Sequence, residues 1–267
     1  MLLAHILVPL VLAVAALFAA IALLPHIVPG PRPAGKREEG LVIFVEGVRF
    51  LGIPWDLRPA GAGLRKAGFN GRYVYWRWHT NWHGWLVLPA LANRRLHQRE
   101  AAALADFIVA ERAEHPDLPI WLIGCSAGCH VALRSLEMLP SGVQITSAAL
   151  LAGAFDPLRD LSEPCRHLAG PLLVAVSAMD WFIIGLGTLL FGTADGRHTL
   201  SAGMVGLRGR ANAENLQRGK IIQIHWRPEM LGIGHLGGHF STAAPEFIAR
   251  HVAPTLGIAP YGATEQK

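Results

Sequence analysis

Two patterns of apolar residues divide this chain of 267 residues. Ile6 to Leu24 is a run of 19 residues that are apolar apart from Pro9, and no Lys, Arg, Asp or Glu precedes Arg32. From Leu41 the pattern changes to short apolar runs alternating with longer amphipathic ones, the signature of a parallel sheet covered by helices. Strands are predicted at Leu41 to Val45, Tyr73 to Trp76, Ile120 to Ile123, Val143 to Leu151, Leu172 to Ser177 and Ile221 to Trp226. These are mostly β-branched or aromatic and apolar on both faces, as central strands covered on both sides must be. Helices are predicted over Leu91 to Glu114, ending before His115-Pro116, over Ala127 to Leu139, ending at Pro140 and Gly142, and over Ser241 to His251. Residues Ile183 to Gly219 are Gly-rich and too long for an ordinary connection, so an excursion over one rim of the sheet is expected there. No internal repeat occurs.

The first apolar run is long enough to cross a bilayer core of roughly 30 Å at about 1.5 Å per residue. A secretory signal would carry a basic leader, whereas only the amino terminus and His5 precede this run, although an Ala-rich cleavage site around Leu17 to Ala20 is a rival. Pro25, Pro29, Pro31 and Pro33 form a hinge that separates the run from the domain. The expected organisation is an anchor over 1–30, a Pro-rich linker over 31–40, a catalytic domain over 41–258 and a short tail over 259–267. Arg32, Lys36 and Arg37 follow the run, so the positive-inside rule puts the domain in the cytoplasm on a single-pass anchor. Trp181 to Phe191 is apolar but too short for a second crossing.

Composition removes several classes. Apolar residues make up 52% and charged ones 16%, which excludes a disordered chain. Three cysteines exclude a disulfide framework and agree with a reducing compartment. The net charge of +5 is scattered along the sequence, so no nucleic-acid partner is expected.

The chemistry begins directly after the third predicted strand, with Gly124-Cys125-Ser126-Ala127-Gly128 followed by a helix. A sharp strand-to-helix turn holds the central serine strained with its hydroxyl exposed, and small neighbours let strand and helix approach. A serine hydroxyl needs a histidine to take its proton and a carboxylate to orient that histidine. Asp180 follows the strand Leu172 to Ser177, and His239 follows the last strand in the loop Gly234 to Ser241. These are the expected acid and base.

The order Ser126, Asp180, His239, each after its own strand, resembles the α/β-hydrolase superfamily over roughly Leu41 to Leu256. The resemblance implies an α/β fold with a mostly parallel sheet and helices on both faces. It implies a serine hydrolase working through an acyl-enzyme, with an oxyanion hole built from the backbone N–H of Ala127. A second donor is expected from the loop after Leu41 to Val45, at Gly47 or Val48. Many family members carry His-Gly there, and this chain carries Glu46-Gly47. No cofactor is implied.

Other assignments compete. Asp156, after the fourth strand, is the second choice of acid, and His235 the second choice of base. Asp195, His198 and His225 rank lower, the first two lying in the excursion and the third in a strand. Cys125 and Cys129 lack further ligands at metal-binding spacing and read as buried packing residues.

Tyr73 to Trp85 holds four of the eight tryptophans. Trp78, Trp82 and Trp85 are candidates for an aromatic wall against an apolar substrate, or for an interfacial belt resting on the bilayer. The leading reading is a membrane-anchored serine esterase or lipase-like enzyme acting on an apolar, lipid-like ester. A thioesterase, amidase or peptidase would use the same residues. The alternative from another class is a noncatalytic tethered domain that binds a lipid or a protein partner.

Overall fold

The protein is described by a computed structural model over residues 35–49, 54–79 and 87–258. The apolar run 6–24, Trp82, Trp85 and the tail 259–267 lie outside the described residues. Among those described, no helix is long and apolar enough to cross a membrane.

Six parallel strands form one sheet in the order β2-β1-β3-β4-β5-β6. They are β1 (Lys36–Val45), β2 (Gly71–Trp76), β3 (Ile120–Cys125), β4 (Ser147–Leu151), β5 (Leu172–Val176) and β6 (Ile221–His225). Alternation in β1 explains why both faces are covered. Leu41, Ile43 and Val45 face one cluster, with Leu104, Ile108, Val131 and Leu133 from helices α2 (Arg94–Glu114) and α3 (Gly128–Glu137). Val42 and Phe44 face the other, with Leu57 and Leu64 of helix α1 (Leu57–Lys66) and Phe247 and Val252 near the carboxy terminus. All five central β1 side chains are fully buried, and a period of two with both faces apolar is what such a strand requires.

Boundaries differ from the sequence reading where single residues intervene. β1 starts at Lys36, inside the stretch read as linker, because Gly40 (φ +107) forms an irregularity that lets Lys36 pair with Gly71. Val143 to Thr146 stay out of β4. The Thr146 hydroxyl accepts the Ile120 N–H, and Ile145 only bridges Leu168. α2 begins at Arg94, since the Asn93 side chain accepts the Leu96 N–H as an N-cap. The last helix is not continuous from Ser241. A 3-10 turn covers His239–Ser241, and helical structure resumes at Pro245, whose fixed φ and missing N–H suit a helix start.

The excursion between β5 and β6 carries a π-helical turn Phe182–Leu186, a helix Gly187–Phe191, a short turn Ala202–Val205 and a helix Arg210–Gln217. It is tied into the loops after β4 and β5. Gly203 N–H donates to Gly153 O at 2.9 Å, Ala202 N–H to Phe155 O at 2.8 Å, and Ser177 N–H to Gly203 O at 2.8 Å.

Candidate active site

Parallel strands point their carboxyl ends at one edge, so the loops after β1, β3, β5 and β6 gather there. Ser126 sits between β3 and α3 with φ +52, in the left-handed region that side chains with a Cβ seldom adopt. Its strain is held by backbone hydrogen bonds, since its N–H donates to Leu151 O at 2.9 Å and its carbonyl accepts from Ala154 N at 3.2 Å. The flanking glycines are sterically required. A Cβ on Gly128 would lie 2.2 Å from the Glu46 carbonyl oxygen, and one on Gly124 would lie 2.8 Å from Cys129 Cα.

The three predicted residues meet. His239 Nε2 is 3.0 Å from Ser126 Oγ, and His239 Nδ1 is 2.6 Å from Asp180 Oδ2. Asp180 is 3% exposed, so its carboxylate can orient the imidazole with little competition from water. The arrangement can move a proton from the hydroxyl to the ring while the acid fixes the tautomer.

The loop after β1 lies against the serine. A Cβ on Gly47 would stand 3.0 Å from Ser126 Cβ, which accounts for glycine there. Neither the Ala127 nor the Val48 N–H takes part in a backbone hydrogen bond among the described residues. The Gly47 N–H is engaged, because it hydrogen-bonds the Asp56 carboxyl.

Glu46 borders the cleft and pins the loop. Its carboxylate accepts from Arg49 Nε at 2.8 Å and stands 3.3 Å from His79 Nε2, and its backbone carbonyl accepts the Trp78 indole N–H at 2.7 Å. Burial pushes the Glu46 carboxyl up to about 8, against the opposing pull of Arg49.

Asp56 was not anticipated from the sequence. It occupies the N-cap position of α1 yet makes no side-chain cap bond. Instead its carboxyl turns inward to the Cys125 thiol and the Gly47 N–H, and burial raises its pKa. Asp56 lines a narrow cleft with Ser126, His239, Val48, Trp55 and Phe240, and the Trp55 and Phe240 rings are 5.2 Å apart. An acidic residue before a helical run was a visible signal, but it pointed to a cap.

Other candidates lie elsewhere. Trp78 is 1% exposed and packs edge-on against His97 at 4.9 Å, so it supports the site from the core and offers no wall to a substrate. Asp156 closes its own turn, accepting from Leu158 N, and pairs with Arg197. His235 is 2% exposed, bonds Ser241 Oγ at 3.1 Å and stacks on Phe247. Its ring is lowered to about 4, first by burial and then by His251. Asp195 accepts from His130 and Arg159 beside a separate cavity of about 530 Å³, and His198 bonds the Leu189 carbonyl. His225 ends β6 on the surface. Cys125 and Cys129 are buried free thiols, and burial raises both pKa values. Among the described residues no group of His, Cys, Asp or Glu could hold a metal ion.

A parallel six-stranded sheet with a strained serine between strand and helix, and a histidine and an acid delivered by later strands, fits the α/β-hydrolase fold. No family model matches the chain, and no curated protein matches it. Among solved structures, a dienelactone hydrolase from Anabaena variabilis is similar at 16% identity. That match covers 85% of this chain and 88% of the other, with a TM-score of 0.48. A dienelactone hydrolase-like promiscuous phosphotriesterase from metagenomic libraries is similar at 14% identity. It covers 87% and 88% of the two chains, with a TM-score of 0.42.

Proposed function

We propose that this protein is a serine hydrolase that cleaves a carboxylic ester through an acyl-enzyme on Ser126. The observation that carries the reading is the continuous relay Asp180–His239–Ser126, with contacts of 2.6 and 3.0 Å. In this reading His239 takes the hydroxyl proton as Ser126 attacks the carbonyl, then returns it to the leaving alcohol. A water activated by the same ring then releases the acid. The Ala127 and Val48 N–H groups hold the oxyanion, and Gly47 supplies the close approach. The aromatic pair Trp55 and Phe240 at the cleft favours an apolar acyl or alcohol group.

The same reading includes anchoring of the domain to a bilayer through residues 6–24, with the domain on the cytoplasmic side. Its support is the length and lack of charge of that run.

The test is labelling of the full chain with a fluorophosphonate, beside hydrolysis of p-nitrophenyl esters from acetyl to palmitoyl. Labelling at Ser126 that disappears in Ser126→Ala, together with ester turnover, is the expected result. Absence of both sinks the hydrolase and leaves a noncatalytic binding domain in its place.

A further inference from the structure

The segment that follows Asp180 inverts the usual arrangement of a surface helix. From Trp181 to Gly192 it contains no charged residue. Trp181, Phe182, Ile183, Leu186, Leu189, Leu190 and Phe191 are between 37% and 66% exposed. The one hydroxyl, on Thr188, is buried and donates to the Ile184 carbonyl at 2.7 Å. A surface helix in water turns its polar side chains out and its apolar ones in, and a contiguous apolar ridge marks a contact surface.

The ridge starts one residue after Asp180, whose carboxyl bonds His239. Trp181 stacks edge-on with Phe182 at 5.7 Å, and exposed Met179 lies against Gly237 beside exposed Leu236. Phe240, 42% exposed, stacks on His239 at 5.5 Å. Beyond Phe191 come exposed Arg197, which pairs with Asp156, and exposed His198, which bonds the Leu189 carbonyl. A lipid surface matches an exposed, uncharged apolar ridge of this kind in a chain that also carries the apolar run 6–24.

The chain outside the described residues is compatible with the same surface. Lys36 begins β1 at the edge of the sheet opposite the ridge. Leu24 to Lys36 spans at most about 40 Å when extended. The strand β1, from Lys36 to Val45, rises roughly 30 Å. An extended linker is therefore longer than the sheet is high, so the ridge could reach the bilayer in the anchored reading of residues 6–24.

We propose that the ridge Trp181 to Phe191 docks on a phospholipid bilayer, so that the cleft at Ser126 opens at the headgroup boundary. The enzyme then takes an ester lying in the membrane without passing it through water. The substrate part of this inference rests on the hydrolase reading, and the docking rests on the anchoring of residues 6–24 in that proposal.

The test uses the full chain reconstituted in mixed phosphatidylcholine and phosphatidylserine vesicles. Phe182→Cys, Leu190→Cys and, as a control near the end of α3, Met138→Cys are labelled with a nitrobenzoxadiazole maleimide. Labelling is selective because the three native thiols are buried. Docking predicts that doxyl-labelled lipid quenches positions 182 and 190 while aqueous iodide does not, and that position 138 shows the reverse. Quenching of 182 and 190 by iodide overturns the proposal, because the ridge then faces water. Protection from both quenchers also overturns it, because residues 6–24 or a second copy then cover the ridge. Repeating the measurement on Ser126→Ala separates docking from catalysis, since quenching is expected unchanged there. Phe182→Ser combined with Leu190→Ser should lose turnover of a vesicle-embedded long-chain ester and keep hydrolysis of p-nitrophenyl acetate. Equal loss on both substrates argues against entry from the membrane.

Discussion

His239 Nε2 stands 3.0 Å from Ser126 Oγ across 113 residues of sequence, with one ring nitrogen on the serine and the other on Asp180. The distance between the two loops is set by β3 and β6, which end at the same edge of the sheet with β4 and β5 between them. A relay of this kind makes separate, measurable demands on each member.

Asp180→Asn preserves the shape of the buried contact and reverses the hydrogen-bonding preference of the imidazole. The ring then presents an N–H to Ser126 and cannot accept its proton. We expect kcat to fall roughly ten-thousand-fold, as loss of the correct tautomer does in such relays. Circular dichroism and melting should stay near wild type. Retention of ester turnover in this variant would remove Asp180 from the mechanism.

Gly47→Ala should injure catalysis more than folding. The new Cβ would sit 3.0 Å from Ser126 Cβ and 3.4 Å from Asp56 Oδ2, so the loop must withdraw by a few tenths of an ångström or more. Displacing an oxyanion donor costs about 2.7–4 kcal/mol of transition-state stabilisation when the donor is lost outright. Steady-state kinetics should show the loss in kcat with KM little changed.

Asp56 separates a charge role from a hydrogen-bonding role. Burial favours its uncharged form, and the carboxyl holds the Gly47 N–H. Asp56→Asn keeps an acceptor for that N–H, so activity is expected within a few-fold of wild type. Asp56→Ala leaves a buried N–H unpaired at a cost of about 1–3 kcal/mol, and both melting temperature and kcat should drop. Equal damage from both substitutions would show that ionised Asp56 is required.

Glu46 links pH to stability. Its carboxyl, at about 8 in the folded protein against 4.5 otherwise, keeps a proton that the unfolded chain has already released. Its contribution is therefore fully present below pH 4.5 and is lost as pH rises towards 8. Glu46→Gln cannot ionise and should retain the Arg49 contact. The melting temperature of wild type should fall relative to this variant between pH 4.5 and 8. A difference that stays flat across that range would mean Glu46 is ionised throughout.

His235 works in the opposite direction. Its ring, lowered from 6.5 to about 4, resists protonation in the folded state, so the unfolded chain binds more protons as pH falls from 6.5 to 4. The contribution of neutral His235 is present above pH 6.5 and is lost towards pH 4. His235→Gln should reduce that acid-side decline while leaving ester turnover intact, because the side chain bonds Ser241 and not Ser126. Loss of activity together with an unchanged pH profile would make His235 the base.

Much of the layout was legible because it depends on local patterns. The four central strands announced themselves as short runs apolar on both faces, while the edge strands β2 and β6 are only partly covered, with Ile222 and His225 exposed. Gly124 to Gly128 was recognisable because only small residues fit where a strand folds back into a helix. Asp180 and His239 were reached by placing an acid and a histidine after later strands in the order that the α/β-hydrolase resemblance implies, with Asp156 and His235 as rivals. Element ends were less legible. Gly40, Asn93, Thr146 and Pro245 each moved a boundary through a single backbone or side-chain contact that periodicity does not register.

What the sequence determined by itself was the sheet and the elbow, because strand period and glycine sterics act over a few residues. The preference for Asp180 and His239 over Asp156 and His235 came instead from the family resemblance. Only the tertiary structure decided which way side chains turn. Trp78 went into the core and Asp56 away from its helix into the cleft, while Glu46 folded under the loop against Arg49. It also decided that Trp181 to Phe191 keeps its apolar side outward. Such outcomes depend on which distant segments supply a hydrogen bond or a packed surface, and that information exists only once the chain has closed on itself.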